Sequence, residues 1–205
     1  MSRIWITSDL HIGHNRDFIY HDRGFDSIEE HDETLLRNWN ELVASEDTVY
    51  ILGDVMLKNT LQDAEFSYGL SILKRLNGKL IIIRGNHDSV GKIKRYRYQE
   101  CANVVRAGEA AMYLDYPETG GYHFFLTHYP TLVSHKKLKQ MKSALINLYG
   151  HTHQKEHFYQ EHPYMYCVCM DAHNQSPVLL DDIIEEIKQK KSSYRESDCE
   201  TSDLR

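Results

Sequence analysis

The amino-acid sequence predicts an α/β fold built on mixed sheets. In the first half of the chain, short apolar strand-like runs alternate with amphipathic helical segments, which is the order of elements in α/β proteins. In the second half, strand-like runs crowd together near Met112, Tyr122 and Tyr164, so a purely parallel sheet does not fit. A mixed sheet, or two packed sheets, accommodates both halves.

The first half contains three predicted strands and two predicted helices. Apolar, β-rich runs predict strands at residues 4–7, 48–52 and 80–83. The first helix is expected to begin after Ser27, because Ser27 and Glu30 have the spacing of a capping box and apolar residues then recur at helical spacing. The second helix is expected over residues 63–76, ending at Asn77-Gly78.

The second half contains three further predicted strands and one predicted helix. The strands are expected at residues 122–126, 145–149 and 164–170, and the helix at about residues 180–190, after Ser176-Pro177. No internal repeat and no Pro/Gly-rich linker divides the chain. We therefore expect one domain over residues 1–191, followed by a polar and disordered tail over residues 192–205.

The composition is that of an ordinary globular protein. The chain has 205 residues, of which 41% are hydrophobic and 26% charged. Its net charge of -6 argues against a large basic footprint for nucleic acid. It does not exclude nucleic-acid chemistry, because bound metal cations would change the local field.

The sequence also indicates a cellular compartment. No apolar run approaches a membrane span, and the N-terminal residues become polar too soon for a signal peptide, so we expect a cytoplasmic protein without a membrane partner. In that compartment the four cysteines are expected to be reduced thiols: Cys101, Cys167, Cys169 and Cys199. Cys167 and Cys169 alternate with their neighbours as one face of a strand does, which favours a structural role over a thiolate metal site.

Five predicted strands end in residue types that bind metals. In chain order the endings are Asp9-Leu10-His11, Gly53-Asp54, Gly85-Asn86-His87-Asp88, Thr127-His128 and Gly150-His151-Thr152-His153. Loops at the carboxyl ends of strands form the sites of α/β sheets, so these endings can converge. Each ending alone also fits a plain turn or a structural histidine. Their joint occurrence, each time after an apolar run, predicts a functional site.

The chemistry of these residues suits two divalent metal ions. Asp, Asn and His supply oxygen and nitrogen ligands to manganese, iron, zinc or nickel. Two metal ions roughly 3.5–4 Å apart can clamp a phosphoryl group and activate a water molecule. Asp9 and Asp54 contribute about -2 against about +4 from the ions, so about +2 of formal charge remains for a hydroxide and a phosphate.

Together these motifs resemble those of the calcineurin-like metallophosphoesterases, over about residues 4–153. The wider pattern is similar to small bacterial and phage phosphoesterases of that superfamily. The stretches that carry this resemblance are DLHIGHN at residues 9–15, RNWN at 37–40, VYILGD at 49–54 and HYP at 128–130. The resemblance implies a four-layer α/β/β/α sandwich of two mixed sheets flanked by helices.

The resemblance also implies a role for each residue of the motifs. The implied ligands are Asp9, His11 and His153 for one metal ion, and Asn86, His128 and His151 for the other. Asp54 would bridge both ions. His87 would be the general acid that protonates the leaving oxygen, with a purely structural hydrogen-bonding role as the alternative, and Asp88 would orient and polarise it. Gly85 would let the backbone turn tightly enough to present both groups.

Several further residues are candidates for binding the substrate. His14 and Asn15 are candidates for contacting the phosphate, although a cap or turn role is an alternative. Arg23 and Lys58 are phosphate-clamp candidates, although Arg and Lys are usually solvated. The basic clusters at residues 92–97 and 136–142 are either exposed helix faces or a rim for an acidic substrate.

The expected activity is hydrolysis of a phosphoester by a metal-bridging hydroxide, with manganese as the first choice of metal and iron, zinc, nickel or magnesium as alternatives. Phosphoprotein phosphatases of the superfamily carry Asp-Arg-Gly after their Gly-Asp, whereas Val55 follows Asp54 here. We expect a phosphodiesterase for small or nucleotide-type diesters, because a single acid suits an alkoxide leaving group. A nuclease acting on RNA or DNA ends, a phosphomonoesterase and a catalytically silent binding scaffold are the alternatives.

Overall fold

A computed structural model gives the fold of residues 2–56, 64–115, 122–132 and 145–202. The strands are β1 (Ile4–Thr7), β2 (Thr48–Ile51), β3 (Lys79–Ile83), β4 (Val104–Glu109), β5 (Ala111–Asp115), β6 (His123–Thr127), β7 (Leu145–Tyr149), β8 (Met165–Cys167) and β9 (Val178–Leu179). The helices are α1 (Asp17–Tyr20), α2 (Ile28–Leu42), α3 (Ala64–Leu73), α4 (Val90–Arg95) and α5 (Leu180–Ser202). A π-helical turn follows α4 at Tyr96–Glu100, and 3₁₀ turns lie at Tyr159–Glu161 and Met170–Ala172.

The strands form two mixed sheets, as the sequence predicts. The first sheet has the order β4-β3-β2-β1-β9, in which β1 to β4 are parallel and β9 is antiparallel to β1. The second sheet has the order β5-β6-β7-β8, in which only β5 is antiparallel to its neighbour. A parallel bridge between Ser8 and Cys169 joins the two sheets just beyond β1 and β8. The predicted class, two mixed sheets with flanking helices, is confirmed.

The apolar residues explain this packing. One buried cluster lies between the sheets, where Ile6 and Ile83 of the first sheet meet Phe124 and Ile146 of the second. Residues of α5 close the same cluster, with Ile183 fully buried in it. A second cluster packs α2 and α3, through residues such as Trp39, onto the other face of the first sheet. Each such buried side chain contributes about 2 kcal/mol relative to an exposed one.

The start of α2 confirms the predicted cap but not the whole capping box. The Ser27 hydroxyl accepts a hydrogen bond from the backbone N–H of Glu30 at 3.1 Å. The Glu30 carboxylate accepts from the N–H of Asp26 at 3.0 Å. A complete box would place that carboxylate on the N–H of Ser27 instead.

Several elements differ from the predicted ones for identifiable reasons. Helix α1 has four residues and β9 has two, which is too few for a periodic pattern to register. Strand β8 ends at Cys167, because Cys169 leaves the sheet to pair with Ser8. Both cysteines are buried and form no disulfide, in agreement with the structural interpretation.

The end of the chain requires a correction. Helix α5 begins at Leu180 as predicted but continues to Ser202, through residues expected to be a disordered tail. Extending an existing helix avoids the cost of nucleation, and the segment includes the good helix formers Arg195, Glu196 and Glu200. The domain boundary at residue 191 stays a prediction. Within the described ranges, no helix is long and apolar enough to cross a membrane.

Candidate metal centre

The five predicted strand endings meet at one edge of the two sheets. Strands β1, β2 and β3 are parallel neighbours in the first sheet, and β6 and β7 are parallel neighbours in the second. Their carboxyl ends therefore lie on a common side. The backbone there is tied together: Asp9 N–H donates to Gly53 C=O at 3.0 Å, and Gly150 N–H donates to His128 C=O at 2.9 Å.

Asp9, His11 and His153 form the first ligand cluster. One ligand atom from each lies within 4.8 Å of the others. His11 Nε2 and His153 Nε2 are 3.2 Å apart, and Asp9 Oδ1 lies 3.6 Å from His153 Nε2. The other Asp9 oxygen, Oδ2, accepts hydrogen bonds from the N–H of His151 at 2.8 Å and from the Cys169 thiol at 3.2 Å. Asp9 Oδ1 is thus the oxygen that is left to bind an ion.

Asp54, His128 and His151 form the second ligand cluster, again with one ligand atom each within 4.8 Å of the others. Asp54 Oδ2 lies 3.5 Å from His128 Nε2. Asn86 joins them, because its Oδ1 lies 2.8 Å from the same His128 nitrogen. The other ring nitrogen, His128 Nδ1, donates to the carbonyl of Leu52 at 2.8 Å, which fixes the ring with Nε2 facing the cluster.

Asp54 lies between the two clusters. Its Oδ2 is 3.5 Å from His128 Nε2 on one side and 4.0 Å from His11 Nε2 on the other. The second oxygen, Oδ1, accepts from the N–H of His87 at 2.8 Å, so the carboxylate cannot turn away. This is the position that a carboxylate shared by two ions requires.

The cluster fits two divalent cations. Asp9 Oδ1 is buried and has no hydrogen-bond partner in the described part of the chain, although a buried carboxylate oxygen normally has one. Burial, together with the Arg23 charge, holds the pKa of His11 well below its usual value, and burial likewise lowers the pKa of His151. Such imidazoles are neutral near pH 7 and present a lone pair. Burial opposes protonation of His128 as well, but the hydrogen bond to Asp54 and the charges of Asp9 and Asp54 together outweigh burial and raise its pKa.

The ligands are held in strained backbone conformations. Five of the seven predicted ligands have positive φ: Asp9 (59°), His11 (50°), Asp54 (55°), His151 (72°) and His153 (49°). For residues other than glycine this region is sparsely populated, costs of order 1–3 kcal/mol per residue and concentrates at functional sites. The surrounding sheets therefore hold the ligands against a local preference.

Glycines let the ligand loops approach closely. A Cβ on Gly53, whose φ is 97°, would lie 2.6 Å from the backbone of Gly85. A Cβ on Gly85 would collide with the Asp54 carboxylate, and one on Gly150 with the Ser8 hydroxyl. The requirement at Gly85 is therefore space for Asp54, and not the tight turn that we expected from the sequence.

His87 faces the same space as the ligands. Its Nε2 lies 3.8 Å from Asp54 Oδ2, and its ring is 5.6 Å from that of His11. The side chain is 34% exposed, because it also lines a cleft of about 610 Å³. This cleft, called the first cleft below, is lined by the histidines His11, His14, His87 and His153 and by the exposed residues Arg16, Phe18 and Lys155.

The expected role of Asp88 needs a correction. Its Oδ2 accepts hydrogen bonds from the N–H groups of Asp54 at 2.7 Å and Gly85 at 3.0 Å, and its Oδ1 from that of Val55 at 3.3 Å. No hydrogen bond or ion pair joins Asp88 to the His87 ring in the described structure. Asp88 ties two ligand loops together, because three backbone donors satisfy a buried carboxylate better than one side chain.

Arg23 also differs from its prediction as a phosphate clamp. Its side chain is only 1% exposed and forms a bidentate pair with Asp171, at 3.1 and 2.8 Å. It also donates to the carbonyl of Asp9 at 2.7 Å. Arg23 therefore supports the first ligand cluster from behind and does not face the first cleft.

Sequence reasoning missed Asp171, which holds a ligand. Its Oδ2 lies 3.0 Å from His153 Nδ1, so it fixes the ring with Nε2 facing the first cluster. Although burial opposes ionisation, the His153 hydrogen bond and Arg23 lower the pKa of Asp171, so it is a carboxylate. A signal was present, because Asp171 directly follows the apolar run at residues 164–170.

Lys92 is a second residue whose role the sequence did not reveal. It belongs to the basic cluster at residues 92–97, yet it is fully buried. Its Nζ donates to the carbonyls of Met56 at 2.6 Å and His87 at 2.7 Å, which fastens the His87 turn to the loop after Asp54. Burial lowers the pKa of Lys92 to about 8.

The remaining predicted substrate residues have different outcomes. His14 is buried beside His11, with their Nδ1 atoms 3.1 Å apart, and its Nε2 has no partner within the described structure. His14 lines the first cleft, so it stays a candidate for the phosphate. Asn15 is exposed and is not among the described residues lining that cleft. Lys58 and the basic cluster at residues 136–142 lie outside the described residues.

The fold and the two ligand clusters define an α/β protein with a site suited to two divalent metal ions. Comparison with known proteins gives the family. Residues 2–169 match the model of the calcineurin-like phosphoesterase superfamily domain. The chain therefore belongs to the calcineurin-like phosphoesterases, and the predictions of the family and of an enzyme that hydrolyses phosphoester bonds are confirmed.

Relatives and one solved structure resemble most of the chain. The uncharacterized protein MJ1445 of Methanocaldococcus jannaschii is 31% identical over 201 residues, covering 93% of this chain and 94% of that relative. The Gene 66 protein of Mycobacterium phage D29 is 33% identical over 170 residues, covering 76% and 80% respectively. The crystal structure of the Aquifex aeolicus protein AQ665, of unknown function, has a TM-score of 0.61 at 18% identity, with 90% of this chain and 99% of that chain covered. That structural likeness shows the fold alone.

Proposed function

We propose that the protein is a dinuclear metal-dependent phosphodiesterase acting on small or nucleotide-type phosphodiesters. The observation that carries this proposal is the Asp54 carboxylate, with His11 of one cluster and His128 of the other both within 4.0 Å of its Oδ2. A carboxylate so placed suits a pair of ions that act on one phosphoryl group. His87 faces the same point and completes the site with a proton donor.

Each residue has a part in the proposed reaction. Asp9, His11 and His153 would hold one ion, Asn86, His128 and His151 the other, and Asp54 both. When bound, the ions would polarise the phosphoryl oxygens and activate the attacking water. His87 would donate the proton on Nε2 to the leaving oxygen. Asp171 would keep His153 oriented, and Asp88 would keep the Asp54 and Gly85 loops together.

The position of His87 suits a phosphoester with an alkoxide leaving group, and the cleft beside it favours a diester over a monoester. An alkoxide leaving group needs a proton, and general acid catalysis contributes about 10²–10⁴-fold to such a step. His87 is partly exposed in the first cleft, which has room for the second substituent that only a diester carries. Cleavage of RNA or DNA ends would use the same residues. A phosphomonoester has one substituent fewer than a diester, so it would fill less of the first cleft.

The proposal includes the metal and the cellular setting. Its oxygen and nitrogen ligands, without thiolate, suit manganese, with iron, zinc, nickel and magnesium as alternatives. Cys167 and Cys169 are reduced, which agrees with the proposed cytoplasmic location. A single catalytic domain over residues 1–191 is part of the same proposal.

The proposal is tested by hydrolysis of bis-p-nitrophenyl phosphate beside p-nitrophenyl phosphate. Metal-stripped protein is assayed with added manganese, nickel, zinc or magnesium. We expect metal-dependent cleavage of the diester that is lost in His151→Ala and kept in His21→Ala, a matched change at an exposed histidine outside both clusters. Cleavage of the monoester alone would make the protein a phosphatase. Two bound metal ions without cleavage of either ester would favour the binding scaffold.

A further inference from the structure

A second cleft opens on the other side of the ligand clusters. It has a volume of about 640 Å³ and is lined by residues that include Arg84, Asn86, Val90, His128 and Tyr129. No residue among those described as lining the first cleft also lines the second. The turn at residues 86–88 separates them, because His87 lines the first cleft while Asn86 lines the second.

Each cleft therefore borders one of the two ligand clusters. His11 and His153, of the first cluster, line the first cleft. Asn86 and His128, of the second cluster, line the second. A phosphoryl group held between the clusters at Asp54 would have one cleft on each side. A phosphodiester has two substituents to place, whereas a monoester has only one.

An exposed aromatic ring stands in each cleft. Phe18 is 64% exposed in the first cleft, with its ring edge-on to His14 at 5.7 Å between centroids. Tyr129 is 50% exposed in the second, with its ring 4.6 Å from that of His151. Exposing a large aromatic side chain forgoes its burial energy. Aromatic rings beside a phosphate site are the means by which proteins stack the bases of single-stranded nucleic acids.

Each cleft also has a cationic side chain. Exposed Arg16 and Lys155 line the first cleft, where they outnumber its one exposed carboxylate, Asp22, and exposed Arg84 lines the second. In a chain with a net charge of -6, these cations mark a local place for an anionic strand. Three cations are enough for a short strand. The net charge of -6 gives no sign of the extended basic surface that binds a long nucleic acid.

We infer that the substrate is a short, linear, single-stranded oligonucleotide that is bound with one nucleoside in each cleft and is cut at the phosphodiester between them. This inference rests on the proposed phosphodiesterase function and adds the class of substrate. Phe18 stacks one base and Tyr129 the other. A cyclic nucleotide, whose single nucleoside carries both ester oxygens, fills one cleft only.

The test compares thymidylyl-(3′→5′)-thymidine with thymidine 5′-methyl phosphate, a diester with one nucleoside. We expect kcat/KM to be at least about fivefold higher for the dinucleotide, the effect of one base stack. Phe18→Leu and Tyr129→Leu keep apolar bulk and remove the ring, so each is expected to lower kcat/KM for the dinucleotide, and the variant of the ring that stacks the base absent from the methyl ester is expected to bring this ratio towards one. Tyr98→Leu, at a ring that is 67% exposed outside both clefts, is the matched control and is expected to keep the ratio. The metal content of each variant is measured alongside.

The outcomes separate this inference from the proposed function. Equal kcat/KM for the two diesters, or a ratio that both ring variants leave unchanged, would overturn the two-cleft inference while leaving the phosphodiesterase intact. Failure to hydrolyse any diester with any metal would instead refute the proposed function. The affinities of the same two compounds, measured by calorimetry, give a second test of the inference. The protein used is the wild type if it is inactive, and His87→Ala otherwise. Tighter binding of the dinucleotide, lost in the ring variants, supports it, and equal affinities refute it.

Discussion

Replacing Asp171 by Asn should weaken one metal site and spare the other. The substitution keeps the shape of the side chain and removes its charge. In the wild type, Asp171 Oδ2 accepts from His153 Nδ1 at 3.0 Å, while Arg23 holds the same carboxylate through two hydrogen bonds. The neutral amide orients His153 less firmly and no longer increases the basicity of its Nε2. The second cluster has no contact with Asp171.

The expected magnitude follows from the contacts that are lost. Partners of metal-bound histidines are worth about 10–100-fold in metal affinity, or about 1.4–2.8 kcal/mol for one ion. Arg23 loses its only described carboxylate partner while remaining buried, but it keeps the carbonyls of Asp9 and Leu10. Removing one partner of a buried ion pair costs on the order of 3 kcal/mol of stability. The thermal midpoint must therefore be measured beside the affinity.

The assay is titration of metal-stripped protein with manganese, by calorimetry and with a competing chelator. We expect two binding steps in the wild type, and in Asp171→Asn one step that is 10–100-fold weaker and one that is unchanged, as expected for loss of such a partner. Asp22→Asn is the matched control, because Asp22 is an exposed carboxylate that also lines the first cleft. Equal weakening of both steps, or of neither, in a folded variant would refute the reasoning.

Four further predictions follow from the same structure. His87→Ala should keep both metal ions, as measured by elemental analysis. It should lower kcat about 100-fold or more for alkyl diesters and less for p-nitrophenyl esters, whose leaving group needs no proton. Full activity on an alkyl diester would exclude the general-acid role. Asp54→Asn should bind fewer than two metal ions per chain, and two ions at a normal rate would refute the shared carboxylate. Gly85→Ala should reduce turnover by about 100-fold, because its Cβ displaces Asp54, whereas Gly24→Ala should lower stability through its φ of 85° but keep turnover, because its Cβ meets no neighbour. Burial lowers the pKa of His173 to about 4, so the unfolded chain takes up a proton that the folded chain does not, and stability should fall as the pH drops from about 6.5 to about 4. Denaturant unfolding should show an acid-induced loss that is smaller in His173→Gln than in the wild type, by up to about 3 kcal/mol, because buried His11 and His151 also have lowered pKa values and contribute in both proteins.

The convergence of the candidate ligands could be predicted from the sequence because their signals are local. Each lies within a few residues of the end of an apolar run, and parallel strands bring such ends together whatever the intervening chain does. The order of strands in the two sheets did not matter for that inference. Elements without a local pattern were missed. Strand β9, for example, has only two residues, and its pairing with β1 depends on residues far away in the chain.

Backbone conformation at the ligands could not be predicted. Asp9, His11 and Asp54 adopt positive φ although none of them is glycine, and local preference argues against it. Tertiary packing imposes that geometry, since Gly53 and Gly85 bring the Asp54 loop against its neighbours. Local reasoning fails at such positions because the strain belongs to the assembled site.

Arg23 shows how a correct residue type can suggest the wrong role. An arginine near a phosphate site suggests a clamp, and its sequence neighbourhood gives no reason to prefer another role. Its role is decided by Asp171, which lies 148 positions away and offers a planar carboxylate to match the guanidinium. Once paired with Asp171, Arg23 also donates to the carbonyl of Asp9. It therefore connects Asp9 of the first cluster with Asp171, the residue that orients His153. Among the described residues, the exposed cations left to meet a nucleic-acid strand are then Arg16 and Lys155 of the first cleft and Arg84 of the second.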